Sequence, residues 1–488
     1  MQSSIARKIM LALFLVIFLM KAVYLGQIPL QYDGTLYAEM IAEEAEEMSF
    51  LPTYLGWQAP WKPGLYFITY SLFLPVTSQL FDSIEWVYKS PNLLFGSINA
   101  FVFYLLAKRF LRPDGALAAS LLFYSAYGVF YAETRLLMEV FALTPILLSL
   151  LFYTDKKMES PKRFLLAGFF ALAAALTKSV IAFMIIPLAL AYLLQEDRSS
   201  LKNPYFLFSL SAPFIGLAIF YLSLESVGLG EAVLLRDTGK FFMHGGFFSL
   251  LEKAYIGFLF FLIMYAAYIF VSFRKLLSSW KKQLFFSTWL LISLIPLMEG
   301  SPIPWHTYYI APALAFFAAF SLSSNKGRMD SFSVLVLCVL VAINIAMPVF
   351  AAFEFTESAS LCDARKTGLD FSGKEKVLIF GQYGTSTVAA TYKILSERQE
   401  TGEHLDFGYV ILNWREEWEG KPPPEGYFGE MLNALVQDYG TQEFGFLEGE
   451  YAYMFETNQS IRRPTNITKF EYVLVSPPNI PLNDSRYV

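Results

Sequence analysis

Runs of roughly twenty apolar residues recur between Lys8 and Phe353, each long enough as a helix to cross about 30 Å of hydrocarbon. Inside a bilayer every backbone N–H and C=O must find its partner within the protein, so a chain built this way folds as a bundle of spanning helices. Composition agrees: 55% of the 488 residues are apolar and 16% are charged, well below the charge content of a soluble domain. The first run, IMLALFLVIFLMKAVYLG, lacks a small-residue cleavage site and is followed directly by further spans, which predicts a retained span. Cys338 falls inside a run and Cys362 starts the tail, so no disulfide framework is expected. Three histidines are too few for a His-rich metal site, and nothing in the charge pattern points to nucleic acid.

Lys and Arg cluster in short loops: Arg7-Lys8, Lys108 to Arg112, Lys156 to Arg163, Arg198 to Lys202, Arg274 to Lys282 and Lys326 to Arg328. The positive-inside rule makes these loops cytoplasmic. To keep Lys108–Arg112 inside, the apolar stretch 64–80 must not cross; it reads as a juxtamembrane or re-entrant pair of short helices broken near Pro75. Eleven spans follow, at roughly 8–25, 90–108, 114–132, 136–154, 164–178, 179–195, 205–224, 253–273, 284–299, 306–323 and 332–353. The predicted architecture is a polytopic α-helical membrane domain over 1–353, N-terminus inside, followed by an external region over 354–488. The outside face then collects the loop 26–89, Glu133 to Glu139, Lys178, the loop 225–252 and the turn SPIPWHTYY.

Within the first loop, LYAEMIAEEAEEM has apolar residues at helical spacing opposite glutamates, which predicts an amphipathic helix on the membrane surface. It is unusually acidic for a lipid-facing helix, so a soluble partner or the tail is an alternative neighbour. From about residue 355 the chain turns polar. KVLIFGQYG followed by TSTVAATYKILSER reads strand–loop–helix, and FGYVILNW and FEYVLVS read as further strands, together predicting a small α/β domain. FGQYGTS matches no phosphate-loop spacing and reads as a plain strand-to-helix turn. Three sequons, at Asn458, Asn466 and Asn483, suit an external tail.

Two carboxylates stand out. Asp33, in QYDGTLYAEM, lies just past the first span, and Glu139, in ETRLLMEV, opens the fourth. A carboxylate bordering hydrocarbon is costly and points first to function. The bland readings stay open at this point. Asp33 has the residue type of a helix N-cap for a helix beginning near Thr35. Glu139 has Arg135 four residues before it, the spacing of a structural ion pair. Lys178 suits an interfacial anchor. Arg236 and Lys240 suit lipid headgroups. Trp57, Trp61 and Trp305 suit an aromatic belt.

The order of motifs carries more. YDGTLYAEM is followed by Trp61-Lys62-Pro63-Gly64-Leu65-Tyr66, then SPNLLFGSINAFVFYLLAKRF, ETRLLMEV, LTKSVIAFMIIPLAL and PWHTYYIAPALAFF. Over about residues 30–325 this series resembles the membrane glycosyltransferases of the GT-C fold, the superfamily of protein O-mannosyltransferases and aminoarabinose transferases. The resemblance implies transfer of a sugar, with inversion, from a polyprenyl or dolichyl phosphate to a protein or lipid acceptor at the outer face. It also implies roles. Asp33 matches the catalytic acidic residue of the first loop, where the family has Asp-Glu; Gly34 stands here instead, so the second carboxylate's role does not carry over. Glu139 matches the second acidic position, commonly Asp. Lys62 matches the Lys-Pro lysine, and Lys178 the Thr-Lys-Gly lysine, with Ser179 for Gly. His306-Thr307-Tyr308-Tyr309 matches the entry to the tenth span.

The chemistry fits these positions. Attack on a sugar phosphate needs a base for the acceptor proton, for which Asp33 is placed. The leaving phosphate needs cations, and Lys178, Lys62, Arg135, His306, Arg236 and Lys240 supply candidates, with Tyr308 beside them. One carboxylate suffices as base for an inverting transfer. Asp33 and Glu139 offer hard oxygens to Mg, Mn or Ca, yet two carboxylates make a thin site, and no metal is expected to be required. A prokaryotic plasma membrane is expected, since there is no retrieval signal and no large insertion in 225–252. The rivals are a transporter of lipid-linked sugars, which predicts repeats and midplane charges, a non-catalytic scaffold, and transfer of a whole oligosaccharide.

Overall fold

The computed structural model describes residues 2–28, 30, 32–47, 49–54, 57–58, 62–226, 265–273, 275, 277–281, 283–294, 307–323 and 329–358, together with Leu395 and four strands of the C-terminal region. The helices are α1 (Gln2–Gln27), α2 (Tyr32–Glu47), α3 (Leu65–Ser71), α4 (Leu74–Leu80), α5 (Ile84–Ala107), α6 (Pro113–Ser125), α7 (Tyr127–Glu133), α8 (Met138–Tyr153), α9 (Ser160–Ala182), α10 (Ile185–Glu196), α11 (Pro204–Glu225), α12 (Leu284–Ile292), α13 (Ala311–Leu322) and α14 (Ser331–Ser358). Thr53–Tyr54 and Trp57–Gln58 pair as a minimal antiparallel ladder, β1 and β2.

Among the described residues α1, α5 and α11 are each long and apolar enough to cross a membrane, and α6 with α7, bent by 58° at their break, is long and apolar enough only when the two are taken together. Their outward faces are apolar: Leu15, Phe101 and Leu222 are exposed, as lipid-facing residues are in a bilayer protein. The stretch 64–80 forms two seven-residue helices, α3 and α4, that meet at Leu72-Phe73, with Pro75 in the first turn of α4 where its missing N–H costs nothing. The segment 114–132 departs from the expected single straight span: α6 ends at Ser125, and Ala126 in extended geometry starts the bend. The boundary expected between 178 and 179 coincides with a kink at Lys178 where two helical segments meet. The range given for α9 thus joins two helical segments, the second ending at Ala182, and Lys178 between them leaves helical geometry (φ −149°, ψ 86°).

Small residues let the helices approach closely. At Gly216 of α11 an added Cβ would lie 2.6 Å from the Ala175 Cβ of α9, so the two backbones touch there. Ion pairs tie one end of the bundle: Arg7–Asp114 (2.5 Å), Arg109–Asp155 (2.8 Å), Lys156–Glu196 (3.0 Å) and Arg163–Asp197 (3.0 Å). The basic loops therefore gather at one end, and the chain direction puts the α7–α8 turn and Lys178 at the other.

α2 does not lie on a surface as its acidic composition suggests. Thr35 through Ala42 are all buried, and so is Glu44. Its apolar residues pack on α3, where Tyr37 meets Tyr66 and Phe67 edge to face at 5.8 and 5.7 Å. Tertiary packing overrides the amphipathic pattern here. The helix also begins at Tyr32, so Asp33 sits in its first turn and not at the cap of a helix starting near Thr35.

In the C-terminal region β3 (Lys376–Gly381), β4 (Asp406–Ile411), β5 (Glu443–Phe446) and β6 (Tyr472–Val475) form one parallel sheet in the order β4-β3-β6-β5. β3, β4 and β6 fall on the three stretches read as strands; β5, in QEFGFL, was not among them. The three sequons and, of the loop 225–252, residues 227–252 lie outside the described residues.

Candidate active site

The scaffold of the site is one polar stripe on α5. Lys89, Asn92, Gly96 and Asn99 recur at intervals of three and four, so they share a helix face. All are buried, and that face meets α7 and α8. Lys89 donates to the Ile28 carbonyl and, at 3.4 Å, to that of Thr134. Asn92 donates to the carbonyls of Arg135 and Ala132, and its own oxygen accepts from the Tyr70 hydroxyl. Asn99 donates to the Val140 carbonyl at 2.7 Å and accepts from Thr144 at 2.7 Å. The stripe thus grips the backbone of the α7–α8 turn, adding side-chain donors to its carbonyls where the helix breaks in an apolar setting.

That turn delivers Glu139 into the first turn of α8, where aligned peptide dipoles favour a negative charge. The Glu139 side chain is 5% exposed and forms an ion pair with Lys178, which is 25% exposed. Lys178 reaches it because α9 breaks its helical geometry at that residue. Lys62, Tyr66 and Tyr309 are within electrostatic reach of the Glu139 carboxylate. The hydroxyls of Tyr66 and Tyr309 are buried with no hydrogen-bond partner among the described residues. Lys62 also lies 5.4 Å from the centre of the Tyr37 ring on α2.

The start of α2 comes to the same place. A Cβ added at Gly34 would lie 3.5 Å from the Leu136 Cβ, so the peptide following Asp33 abuts the α7–α8 turn. The backbone of Asp33 therefore stands next to the turn that carries Glu139. The Asp33 side chain, His306, Arg236 and Lys240 lie outside the described residues, as do the side chains of Trp57, Trp61 and Trp305.

The other predicted residues are placed as follows. Arg135 does not pair with Glu139 at helical spacing. The helix is interrupted between them, and the Arg135 guanidinium stacks 3.5 Å over the Tyr131 ring. Tyr308 is fully buried, with its hydroxyl 3.1 Å from Asn99 Nδ2 and facing Glu133. Lys178 is held by a carboxylate and does not simply anchor at headgroups. Sequence reasoning missed a second ion pair, Lys21–Glu133, at 2.5 Å with both side chains 0% exposed. Its signal was a single lysine in an otherwise apolar run. Among the described residues no cluster of three or more His, Cys, Asp or Glu is placed to hold a metal ion.

Residues 65–223, from α3 into α11, match the family model of the dolichyl-phosphate-mannose-protein mannosyltransferases. The fold is similar to that of ArnT from Cupriavidus metallidurans. The ArnT structure bound to undecaprenyl phosphate gives a TM-score of 0.51 at 15% identity, covering 80% of this chain and 69% of ArnT. The apo structure gives 0.50 at 16%, covering 82% and 70%. The likeness is one of fold, the GT-C fold, and the match to the mannosyltransferase family model is confined to residues 65–223. As a GT-C protein it is an integral membrane protein with a polytopic helical core. The Archaeoglobus fulgidus oligosaccharyltransferase AglB, solved with an inhibitory peptide and a dolichol-phosphate, aligns with a TM-score of 0.47 at 13% identity over 78% of this chain and 63% of its own. No curated protein sequence matches the chain.

Proposed function

We propose that this GT-C protein transfers a sugar, with inversion, from a polyprenyl- or dolichyl-phosphate donor to a protein or lipid acceptor at the external face of the membrane. The observation that carries the reading is the convergence at one end of the bundle of Glu139, Lys178, Lys62 and the backbone of Asp33, opposite the end tied by basic loops. In this reading that tied end is cytoplasmic, and the region after α14 is an external α/β domain. Asp33 takes the acceptor proton as its oxygen attacks the anomeric carbon. Glu139 holds Lys178 in place. Lys178 and Lys62 meet the negative charge that grows on the leaving phosphate. Arg236, Lys240 and His306 join them on the donor side.

Transfer by the purified protein in nanodiscs tests the reading, with a panel of radiolabelled undecaprenyl-phosphate sugars and release of undecaprenyl phosphate as the readout. Wild type is expected to release it and Asp33→Asn to lose about 10²-fold or more of that rate, the size of a general-base contribution. Undecaprenyl phosphate bound tightly, with no donor turned over, would favour a transporter or scaffold. Equal turnover by both proteins would keep the enzyme and remove Asp33 as its base.

A further inference from the structure

The Lys21–Glu133 pair takes no part in the transfer chemistry above, yet both of its side chains are fully buried. Charges at membrane depth are expensive, and replacing such a pair by apolar residues is often neutral for stability. A staple alone would be served as well by apolar packing.

What the pair touches suggests more. The chain bends by 58° between α6 and α7, and a break of that size frees carbonyls at the end of α6. Tyr268 donates to the Leu122 carbonyl at 2.5 Å. Lys21 donates to the Tyr124 carbonyl at 2.7 Å, and its ammonium lies 3.4 Å over the Tyr124 ring. The same ammonium binds the carboxylate of Glu133, the last residue of α7. One lysine on α1 therefore holds both limbs of the bend. From Glu133 two routes lead to Glu139. One is the turn Thr134–Leu137 itself. The other runs through Tyr308, whose hydroxyl faces Glu133 and accepts from Asn99, and Asn99 also holds the Val140 carbonyl.

We propose that Lys21 and Glu133 are positioning residues for the transfer reaction: their ion pair fixes the α6–α7 bend and thereby the placement of the turn that presents Glu139 to Lys178. This rests on the transfer reading above.

The test combines amide hydrogen exchange with kinetics on the full-length protein in nanodiscs. Wild type, Lys21→Arg and the Lys21→Met/Glu133→Gln double variant are compared. The double variant leaves no unpaired buried charge and is the one expected to fold. Exchange in peptides covering 132–140 should rise about tenfold or more in the double variant, with peptides from 165–177 unchanged, as local loosening of one unit predicts. Its kcat with the active undecaprenyl-phosphate sugar should fall about 10- to 100-fold, the scale of an ångström-size misplacement, with KM and undecaprenyl phosphate affinity held within about threefold. Lys21→Arg, which keeps the charge and both donors, should restore most of kcat. Unchanged exchange at 132–140 overturns the proposal whatever the rates. So does unchanged kcat, which reduces the pair to a staple, and so does a rise in KM alone, which assigns the pair to binding. A wild type that transfers no sugar overturns the transfer reading instead, and the silent wild type tells the two failures apart.

Discussion

Replacing Gly96 with alanine separates the local preference of a helix from the demand of its surroundings. In a helix interior alanine is favoured over glycine by about 1 kcal/mol, so propensity alone predicts a more stable protein. The structure predicts the opposite. A Cβ at position 96 would stand 2.2 Å from the Glu133 Cδ and 2.4 and 2.5 Å from its two oxygens. A carboxylate at the end of a flexible side chain would ordinarily swing aside. Here it is fully buried and held by Lys21 at 2.5 Å. To clear the methyl group it must leave that partner, and breaking a buried pair costs about 3–5 kcal/mol. Subtracting the helix-propensity gain leaves a net loss of about 2–4 kcal/mol.

The assay is survival of the monodisperse protein in detergent after heating, read by size-exclusion chromatography, for four proteins: wild type, Gly96→Ala, Lys21→Met/Glu133→Ala, and the combination. Gly96→Ala should lower the apparent melting temperature in the wild-type background. With Glu133 cut back the clash is gone, and the same substitution should be neutral or stabilising. The difference between the two backgrounds is the coupling between Gly96 and the ion pair. A Gly96→Ala protein as stable as wild type, or equal effects in both backgrounds, would refute the reasoning.

Three further outcomes follow from the site. Lys178→Met should destabilise the protein by about 3–5 kcal/mol, because Glu139 stays buried without its cation; adding Glu139→Gln should recover most of the melting temperature without recovering transfer. Asn92→Leu takes a donor from the Arg135 carbonyl and leaves the Tyr70 hydroxyl without its acceptor, for a loss of about 1–3 kcal/mol in the same heating assay and faster amide exchange across 132–137. Incubation with EDTA should leave transfer unchanged, and a rate that falls on chelation and returns with Mg, Mn or Ca would show that a divalent cation takes part.

The basic ends of the apolar runs were legible. Arg7, Arg109, Lys156 and Arg163 all lie at one end of the bundle, each against an acid that the sequence spacing does not reveal. The α6–α7 bend was not legible. No proline marks it, and residues 114–132 read as one uninterrupted apolar run; the break is stabilised from outside by Lys21 and Tyr268, 103 and 146 positions from their acceptors. The burial of α2 was misread because glutamates usually signal water, while the α3 aromatics that cover the helix are set by the fold. Glu139 and Lys178 each carried a signal alone. The break at Lys178 falls where the sequence placed a span boundary, but nothing in the spacing shows that the two side chains meet across it.

The two Lys–Glu pairs also differ in a way that assigns their roles. An ammonium has three protons to donate. Lys21 gives them to Glu133 and the Tyr124 carbonyl and turns its remaining face to the Tyr124 ring, all at 0% exposure, so it has nothing left to offer a substrate. Lys178 makes one hydrogen bond among the described residues and keeps a quarter of its side chain accessible. Its remaining donors are available to phosphate oxygens while Glu139 fixes its position. The lysine that is only half engaged is the one that can share itself with a leaving group, and the saturated one can only hold structure. An arginine at 21 would therefore preserve function by preserving both bonds. An arginine at 178 keeps the charge but moves the donors outward on a rigid planar fork, and should transfer sugar more slowly although its pairing with Glu139 survives.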